Sequence, residues 1–182
     1  MTGLAPNVLR TQRLALRPIK PDDAAALHPL MTWNVVRWLS GPPWPLSLVD
    51  VITHLAESEA DMRAGIVMSY AIVAGGAPCG AIDIRPARGA MALGYWLAEP
   101  HWGKGLMSEA ARAVIDAFFG TKPARHLACG AFAGNAASLR IQGKLGFMVV
   151  AENFLLSRPH GRLLPHVETM LGRPSWERRL AA

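Results

Sequence analysis

The alternation of apolar and polar residues predicts a chain that passes repeatedly between strand and helix. Residues 14–18 alternate and end at a proline, which predicts a first strand. Residues 48–63 carry an apolar stripe at helical spacing, and Ser47 before them is suited to cap a helix N-terminus. Between these two elements we expect a helix opening at Pro21, a short helical piece over 34–39 and a proline loop over 41–45.

The middle of the chain reads as a meander that leads into a strand–turn–helix unit. Three short runs over 69–74, 80–85 and 91–97 are separated by glycine- and proline-rich turns, which predicts antiparallel neighbours. The third run is apolar on both faces, as in a central strand. Gly103 and Gly105 then permit a tight turn, and apolar residues at helical spacing predict a helix over 107–119.

The remaining elements complete an α+β fold in a single domain over residues 1–182. We expect a strand over 127–132, a helix capped by Asn135 and closed by Gly146, and a final hairpin over 147–156 and 164–171. The strand–helix–strand step predicts one parallel pair within an otherwise antiparallel sheet. The expected architecture is a single mixed, mostly antiparallel sheet flanked by helices.

Composition narrows the function classes. The chain has 182 residues, 51% hydrophobic residues and a formal net charge of +6, which suits one domain and an anionic partner. The basic residues are scattered, so a nucleic-acid surface is not expected. Cys79 and Cys129 have neither metal-ligand nor disulfide-framework spacing, and no metal is expected. The chain lacks a signal-peptide pattern and a membrane-length apolar run, which favours a cytoplasmic location.

The turn at Gly103 and Gly105 opens a helix, and a helix start carries free N–H donors that favour phosphate. A phosphate-bearing ligand between Trp102 and Ser108 is one interpretation, and an ordinary strand-to-helix turn is the other. A Walker A motif fails because Lys104 is followed by glycine. A Rossmann fingerprint fails because Ser108 stands where its third glycine is required.

A third pattern fits. Trp102-Gly-Lys-Gly-Leu-Met107, followed by Ser-Glu-Ala, resembles the acetyl-CoA pyrophosphate loop of the GNAT acetyltransferase superfamily. Gly105 matches the central glycine, whereas Trp102 and Met107 depart from the usual residues. Within the superfamily the chain is similar to the ribosomal-protein N-terminal alanine/serine acetyltransferases. That likeness extends over Thr11–Pro18, Leu93–Leu97, Asn135 with Ser138, Lys144–Phe147, and Leu171 with Trp176.

The resemblance implies acetyl-CoA as co-substrate and the acyl-CoA N-acyltransferase fold. The loop amides would hold the pyrophosphate, and the strand before it would pair with the peptide-like pantetheine arm. A backbone N–H near Leu97 would stabilise the negative charge that develops on the thioester oxygen. The implied cofactor-binding residues are Tyr95, Trp96, Leu97, Ala98, Gly103, Lys104, Gly105, Leu106, Met107, Ser108 and Asn135.

The catalytic residues are less directly indicated. Many superfamily members protonate the leaving thiolate with a tyrosine whose place here is Gln142, and the branch resemblance instead implicates Ser138. The alternative for Ser138 is an ordinary first-turn serine, and Asn135 could cap the helix, hold pantetheine or do both. Asp83, flanked by two isoleucines, is the candidate base if it faces a cleft. Glu99 and His101 border the loop as weaker alternatives.

The acceptor is the least determined part. Trp33, Trp38 and Trp44 surround the proline loop and could line an acceptor pocket or pack in the core. The resemblance implies transfer to a primary amine, either a small molecule or a protein N-terminus. Alternatives are a non-catalytic acyl-CoA sensor and, from net charge alone, a ribosome- or RNA-binding module. No membrane partner is expected, and the late strands could mediate a homodimer.

Overall fold

An eight-stranded sheet runs through residues 8–180, the part of the chain that this computed structural model describes. Its strands, in chain order, are β1 (Leu9–Arg10), β2 (Ala15–Pro18), β3 (Met68–Ala74), β4 (Ala77–Ala87), β5 (Ala90–Leu97), β6 (His126–Phe132), β7 (Met148–Ser157) and β8 (Arg162–Gly172). Their order across the sheet is β1-β2-β3-β4-β5-β6-β8-β7. Only β5 and β6 are parallel among these neighbours, which confirms the expected α+β architecture.

Six α-helices lie within residues 8–180: α1 (Ala24–Leu27), α2 (Trp33–Val36), α3 (Leu48–Arg63), α4 (Leu106–Thr121), α5 (Ala136–Leu145) and α6 (Arg173–Leu180). The predicted helix from Pro21 is divided, because 3₁₀ turns at Pro21–Asp23 and His28–Leu30 flank the single turn of α1. Pro29 lacks a backbone N–H, so a regular helix does not continue through it. The helical piece predicted over 34–39 is shorter and begins at Trp33. β1 and α6 had no counterpart in the sequence prediction.

The long helices begin where local chemistry favours a start. Ser47 caps α3 through a reciprocal pair of hydrogen bonds with Asp50, so the predicted bounds of this helix are confirmed. Asn135 caps α5 by accepting from the Ser138 N–H at 3.1 Å, and Gly146 ends that helix with a φ of 92°.

The two faces of the sheet bury separate apolar clusters. On one, called the α4 face, Ile82, Ile84 and Leu127 pack with Val114 and Phe118 of α4. On the other, called the α3 face, Leu55 and Met62 of α3 pack with Ala71 and Leu27, and Ala81 and Trp96 pack against this cluster. Because side chains alternate along a strand, the neighbours of each buried residue are assigned to the opposite face. The side chains on the two faces of β5 and β6 therefore lie in different environments.

Candidate active site

The parallel strands β5 and β6 separate soon after they meet. Ala92 and Ala128 are their one registered pair, so the following residues of each strand are not joined by a ladder. A cavity of about 600 Å³ opens at this gap, and its lining includes Tyr95, Gly105 and Ser138. Ten of the residues predicted from sequence line it: Tyr95, Trp96, Leu97, Gly103, Gly105, Leu106, Met107, Ser108, Asn135 and Ser138.

The backbone of β5 turns free polar groups toward the gap. The Ala98 N–H donates to Cys79 O at 2.8 Å, on the β4 side. Alternation along an antiparallel pair then directs the N–H and C=O groups of Tyr95 and Leu97 toward β6. The indole N–H of Trp102 donates to Leu97 O at 2.6 Å, which occupies one of these groups. The Leu97 N–H and the Tyr95 peptide groups are left for an extended ligand.

The N-terminus of α4 forms the other end of the cavity. Gly103 and Gly105 both adopt positive φ, 72° and 75°, a region that favours glycine. The first helical bond that returns to Gly105 O comes from the Glu109 N–H, at 3.1 Å. The N–H groups of Leu106, Met107 and Ser108 therefore have no partner within the helix and point toward the loop. This geometry, with the positive end of the helix dipole, suits a phosphate.

Arg13 supports that loop from the far end of the sheet. Its guanidinium donates to Lys104 O at 2.8 Å and to Glu109 Oε2 at 2.7 Å, and its backbone N–H donates to Glu109 Oε1 at 2.8 Å. Sequence reasoning missed this residue, because more than 90 positions separate it from the loop. The hydrogen bonds to Arg13 and Thr11 hold the pKa of Glu109 below its ordinary value against the opposing effect of desolvation. The Arg13–Glu109 ion pair is thus fixed beside the candidate phosphate site.

Ser138 lies in a hydrogen-bond network that spans three elements, β5, α5 and β8. Its hydroxyl is 2.9 Å from Tyr95 Oη and accepts from Gln142 Nε2 at 3.0 Å. Gln142 Oε1 in turn accepts from the Thr169 hydroxyl at 2.7 Å, which fixes the orientation of the amide. When Tyr95 also donates to Ser138, both acceptor positions of Ser138 are filled and its own proton is directed elsewhere. Gln142, at the place of the superfamily tyrosine, thus orients the serine.

Burial sets the protonation of the neighbouring groups. Desolvation raises the pKa of Tyr95 well above its ordinary value, so the phenol stays a donor at neutral pH. Desolvation also raises the pKa of Cys129, another lining residue, to about 12. This thiol is therefore not a nucleophile at neutral pH.

Three predicted residues lie outside the cavity lining. The Asp83 side chain projects from the α3 face, where Arg85 Nε donates to its carboxylate at 2.9 Å, and burial raises its pKa. Lys104 is exposed and Ala98 is buried with its N–H paired to β4. The role of Asp83 as the general base therefore stays a prediction. Its carboxylate already forms an ion pair with Arg85.

Val35 of α2 and residues 38–40, just before the proline loop, line the cavity on its other side. Trp38 lines the cavity and lies 3.3 Å from the position of a Cβ at Gly134, after β6. Trp33 contacts Trp44 and His160 with ring centroids 5.4 Å and 4.9 Å apart. Glu99 is occupied by hydrogen bonds from Thr32 and Asn34, which lower its pKa. Of the three tryptophans predicted for the acceptor side, Trp38 therefore lines the cavity, whereas Trp33 and Trp44 contact each other outside its lining.

This arrangement agrees with a known family. A family model described as an acetyltransferase (GNAT) domain matches residues 13–148. The chain belongs to the GNAT acetyltransferase family. Among curated relatives, the uncharacterised N-acetyltransferase p20 of Bacillus licheniformis is 28% identical over 150 residues, 78% of this chain and 82% of that protein. A probable N-acetyltransferase of Bacillus subtilis, YjcK, is 38% identical over 64 residues, 35% of each chain. This GNAT protein is accordingly an N-acetyltransferase.

Solved structures confirm the GNAT fold at low sequence identity. A ribosomal L7/L12 alpha-N-protein acetyltransferase, RimL, in complex with coenzyme A superposes with a TM-score of 0.81 at 19% identity, covering 93% of this chain and 99% of RimL. Mycobacterium smegmatis RimJ in complex with a CoA disulfide also gives 0.81, at 20% identity over 97% and 94% of the two chains. The microcin C7 self-immunity acetyltransferase MccE, with acetyl-CoA and AMP, gives 0.77 at 16% identity over 89% and 93%.

Two features are not found within residues 8–180. No helix there is long and apolar enough to cross a membrane. No group of three or more His, Cys, Asp or Glu side chains in that range is placed to hold a metal ion.

Proposed function

We propose that this GNAT enzyme transfers the acetyl group of acetyl-CoA to a primary amine, with protein N-terminal amines as the first acceptor class to test. The observation that carries the proposal is the cavity between the separated strands β5 and β6. It joins the free amides of α4 at one end to the backbone edge of β5 and to Ser138. RimL and RimJ share the fold, and their structures are complexes with coenzyme A and with a CoA disulfide, respectively.

The residues fit acetyl-CoA in three parts. The N–H groups of Leu106, Met107 and Ser108, after the Gly103–Gly105 turn, would hold the pyrophosphate, with the Lys104 ammonium nearby. The β5 edge from Tyr95 to Ala98 would bind the amide-bearing arm as an added strand, beside Asn135. The Leu97 N–H is free to stabilise charge on the thioester oxygen.

Acetyl-CoA supplies a thioester, from which the amine takes the acetyl group while the thiolate leaves with the electrons of the broken C–S bond. The chain then has two proton tasks. Ser138 would donate to the leaving sulfur when Tyr95 as well as Gln142 donates to its oxygen, because its own hydrogen is then directed elsewhere. Tyr95 would return a proton to Ser138 across 2.9 Å and regain its own from water.

The acceptor class is tested by a screen of purified full-length protein with acetyl-CoA. The panel contains peptides beginning with serine or alanine, their N-terminally blocked copies, and small primary amines. We expect CoA thiol release with at least one free amine and a product heavier by one acetyl group. Release that is equal with blocked and free peptides would mean hydrolysis, and no release with any amine would contradict the proposal.

We also propose a cytoplasmic location. Cys79 and Cys129 are both free thiols in the folded chain. Free cysteines are typical of reducing compartments.

An apolar patch on the final hairpin supports a homodimer. Phe154, Leu156 and Leu163 are 67%, 51% and 61% exposed, and Leu156 lies directly opposite Leu163. They belong to the outermost strand β7 and its partner, at the end of the sheet order. A second copy can cover both the patch and the strand edge through a two-fold axis, because such an interface is self-complementary.

Phe154→Lys is expected to convert the dimer into monomers, because it places a charge in the centre of the patch. Sedimentation velocity of wild type and variant measures this directly. Glu152→Gln, an exposed change on the same strand, is the control and should stay dimeric. A wild-type protein that sediments as a monomer at micromolar concentration would contradict the dimer.

A further inference from the structure

Two glycines border the gap between β5 and β6 on the α3 face. A Cβ placed at Gly94 on β5 would lie 3.2 Å from Asp83 Oδ1. A Cβ placed at Gly130 on β6 would lie 2.6 Å from His166 Cε1 and 2.8 Å from Nε2. The carboxylate and the imidazole therefore lie over the two strands on either side of the gap. Only glycine at residue 130 leaves room for the ring.

The two side chains differ in how they are engaged. The Asp83 carboxylate accepts from Arg85 Nε at 2.9 Å and Nη2 at 3.2 Å. Arg85 also reaches Ser58 of α3 at 3.3 Å, so this pair is fixed in place. To accept a proton, Asp83 would have to weaken that ion pair.

His166 is nearly buried, 9% exposed, and its Nδ1 makes no hydrogen bond to any described residue. Burial lowers the pKa of the imidazole, with a smaller opposing effect of Glu168 and a supporting effect of Arg88. The ring is therefore neutral at neutral pH. A neutral imidazole has one nitrogen with a lone pair, and it can act as a base without breaking an ion pair.

Asn153 indicates which nitrogen carries the proton. It lies directly opposite His166 in the β7–β8 register. Asn153 Nδ2 donates to Glu168 Oε1 at 2.7 Å, and its Oδ1 is buried without a donor. In the structure these two atoms do not hydrogen-bond to each other. Because unpaired buried atoms on facing residues are costly, we infer that a small side-chain shift brings a protonated His166 Nδ1 to Asn153 Oδ1 and satisfies both. The lone pair is then on Nε2, the nitrogen that lies over Gly130.

The charges around the ring come from two other elements. Glu168 follows His166 by two residues on the same face of β8 and is paired with Arg88 from the β4–β5 turn at 2.5 Å. Glu168 favours the protonated ring and Arg88 disfavours it. An imidazolium formed during the reaction thus has a carboxylate nearby, while the resting ring stays neutral.

We propose that His166 is the general base that removes a proton from the acceptor amine. This inference rests on the proposed acetyl transfer. Nε2 accepts the amine proton as the nitrogen forms its bond to the acetyl carbon, the C–S bond breaks, and the thiolate takes its proton from Ser138. His166 later returns its proton to water. Asn153 is the positioning residue that would hold the ring through Nδ1 after that shift.

His166→Gln is expected to lower kcat about 100-fold near neutral pH, the lower end for loss of a general base. KM for acetyl-CoA should be unchanged, because the ring lies on the α3 face and is not among the residues proposed to hold the cofactor. Wild-type kcat should fall as pH decreases through the pKa of His166, below its ordinary value, and this limb should be absent in the variant. The difference in kcat between His166→Gln and the wild type should shrink at about pH 9, because an α-amine with a pKa of about 8 is then already neutral when it binds. His126→Gln, an exposed change at the start of β6, is the matched control.

The tautomer can be measured without any acceptor. Nitrogen-15 NMR of the full chain, with His166 assigned through the variant, should show a neutral ring protonated on Nδ1 at neutral pH. Asn153→Leu should reduce the population of rings protonated on Nδ1, and it should lower kcat more than it changes KM. A ring that is charged, or protonated on Nε2, would overturn the proposal whether or not an acceptor is found. Failure to acetylate any amine would instead count against the proposed function. A fully active His166→Gln protein beside a slow Asp83→Asn protein would return the role to Asp83.

Discussion

Replacing Gly105 with glutamate is expected to abolish measurable CoA binding. Gly105 caps α4 with a φ of 75°, a conformation that costs an L-residue about 1–2 kcal/mol. The new side chain would start where the free amides of α4 converge, and a Cβ at residue 105 lies 3.6 Å from Arg13 Nη2. The carboxylate would repel the pyrophosphate and compete for the guanidinium. Losing two charge-assisted hydrogen bonds of about 1.5–3 kcal/mol each corresponds to a loss of at least about 100-fold in affinity.

Calorimetric titration with CoA measures this effect, and thermal unfolding verifies that the variant is folded. Gly105→Ala is the first control, because it keeps the backbone strain and adds no charge, so its affinity loss should be smaller. Gly120→Glu is the second, because it adds the same charge to an open position near the other end of the same helix. CoA affinity that is unchanged in Gly105→Glu would remove the loop from the cofactor site.

Local signals were enough to predict the elements that carry the cofactor loop. The Ser47–Asp50 cap lies within four residues, and so does the cap from Asn135 to the Ser138 N–H. The glycine turn before α4 is likewise set by its own backbone, since both glycines need positive φ. By contrast, α6 is mostly polar and docks through Trp176, which is 1% exposed and bonded to Asp116 of α4 at 2.8 Å. That contact joins residues 60 positions apart, so no local pattern reveals it.

The parts of the site that sequence missed depend on strand order. Arg13 reaches the loop only because β1 and β2 lie at one edge of the sheet beside the start of α4. His166 meets Gly130 only because β8 enters between β6 and β7. Tyr95 was expected to act only through its backbone, yet its hydroxyl contacts Ser138 across the gap. A motif search recovers residues near the loop, whereas these pairs arise from long-range pairing of strands.

Ser138→Ala is expected to lower kcat about 100-fold while leaving KM for acetyl-CoA close to that of the wild type. The reason is the direction of the hydrogen bonds, because Thr169 fixes Gln142 and Gln142 donates to Ser138. Removing the hydroxyl leaves Tyr95 without its 2.9 Å partner and removes the proton donor for the thiolate, which is worth about 10²–10⁴ in rate for a positioned acid. Steady-state kinetics with the best acceptor from the screen provide both constants.

The matched control for Ser138→Ala is Ser175→Ala, because each serine is the third residue of its helix, α5 and α6. If Ser138 only supports the helix, both variants should retain the wild-type rate and differ only slightly in thermal stability. Ser138→Thr keeps a hydroxyl at the same position and should recover part of the rate. Tyr95→Phe separates the two members of the relay: it should slow the reaction less than Ser138→Ala, since water can restore the serine proton but cannot replace the oriented hydroxyl. A Ser138→Ala enzyme with wild-type kcat would exclude Ser138 as the acid and leave the Tyr95 phenol, kept protonated by burial, as the donor in that part of the cavity.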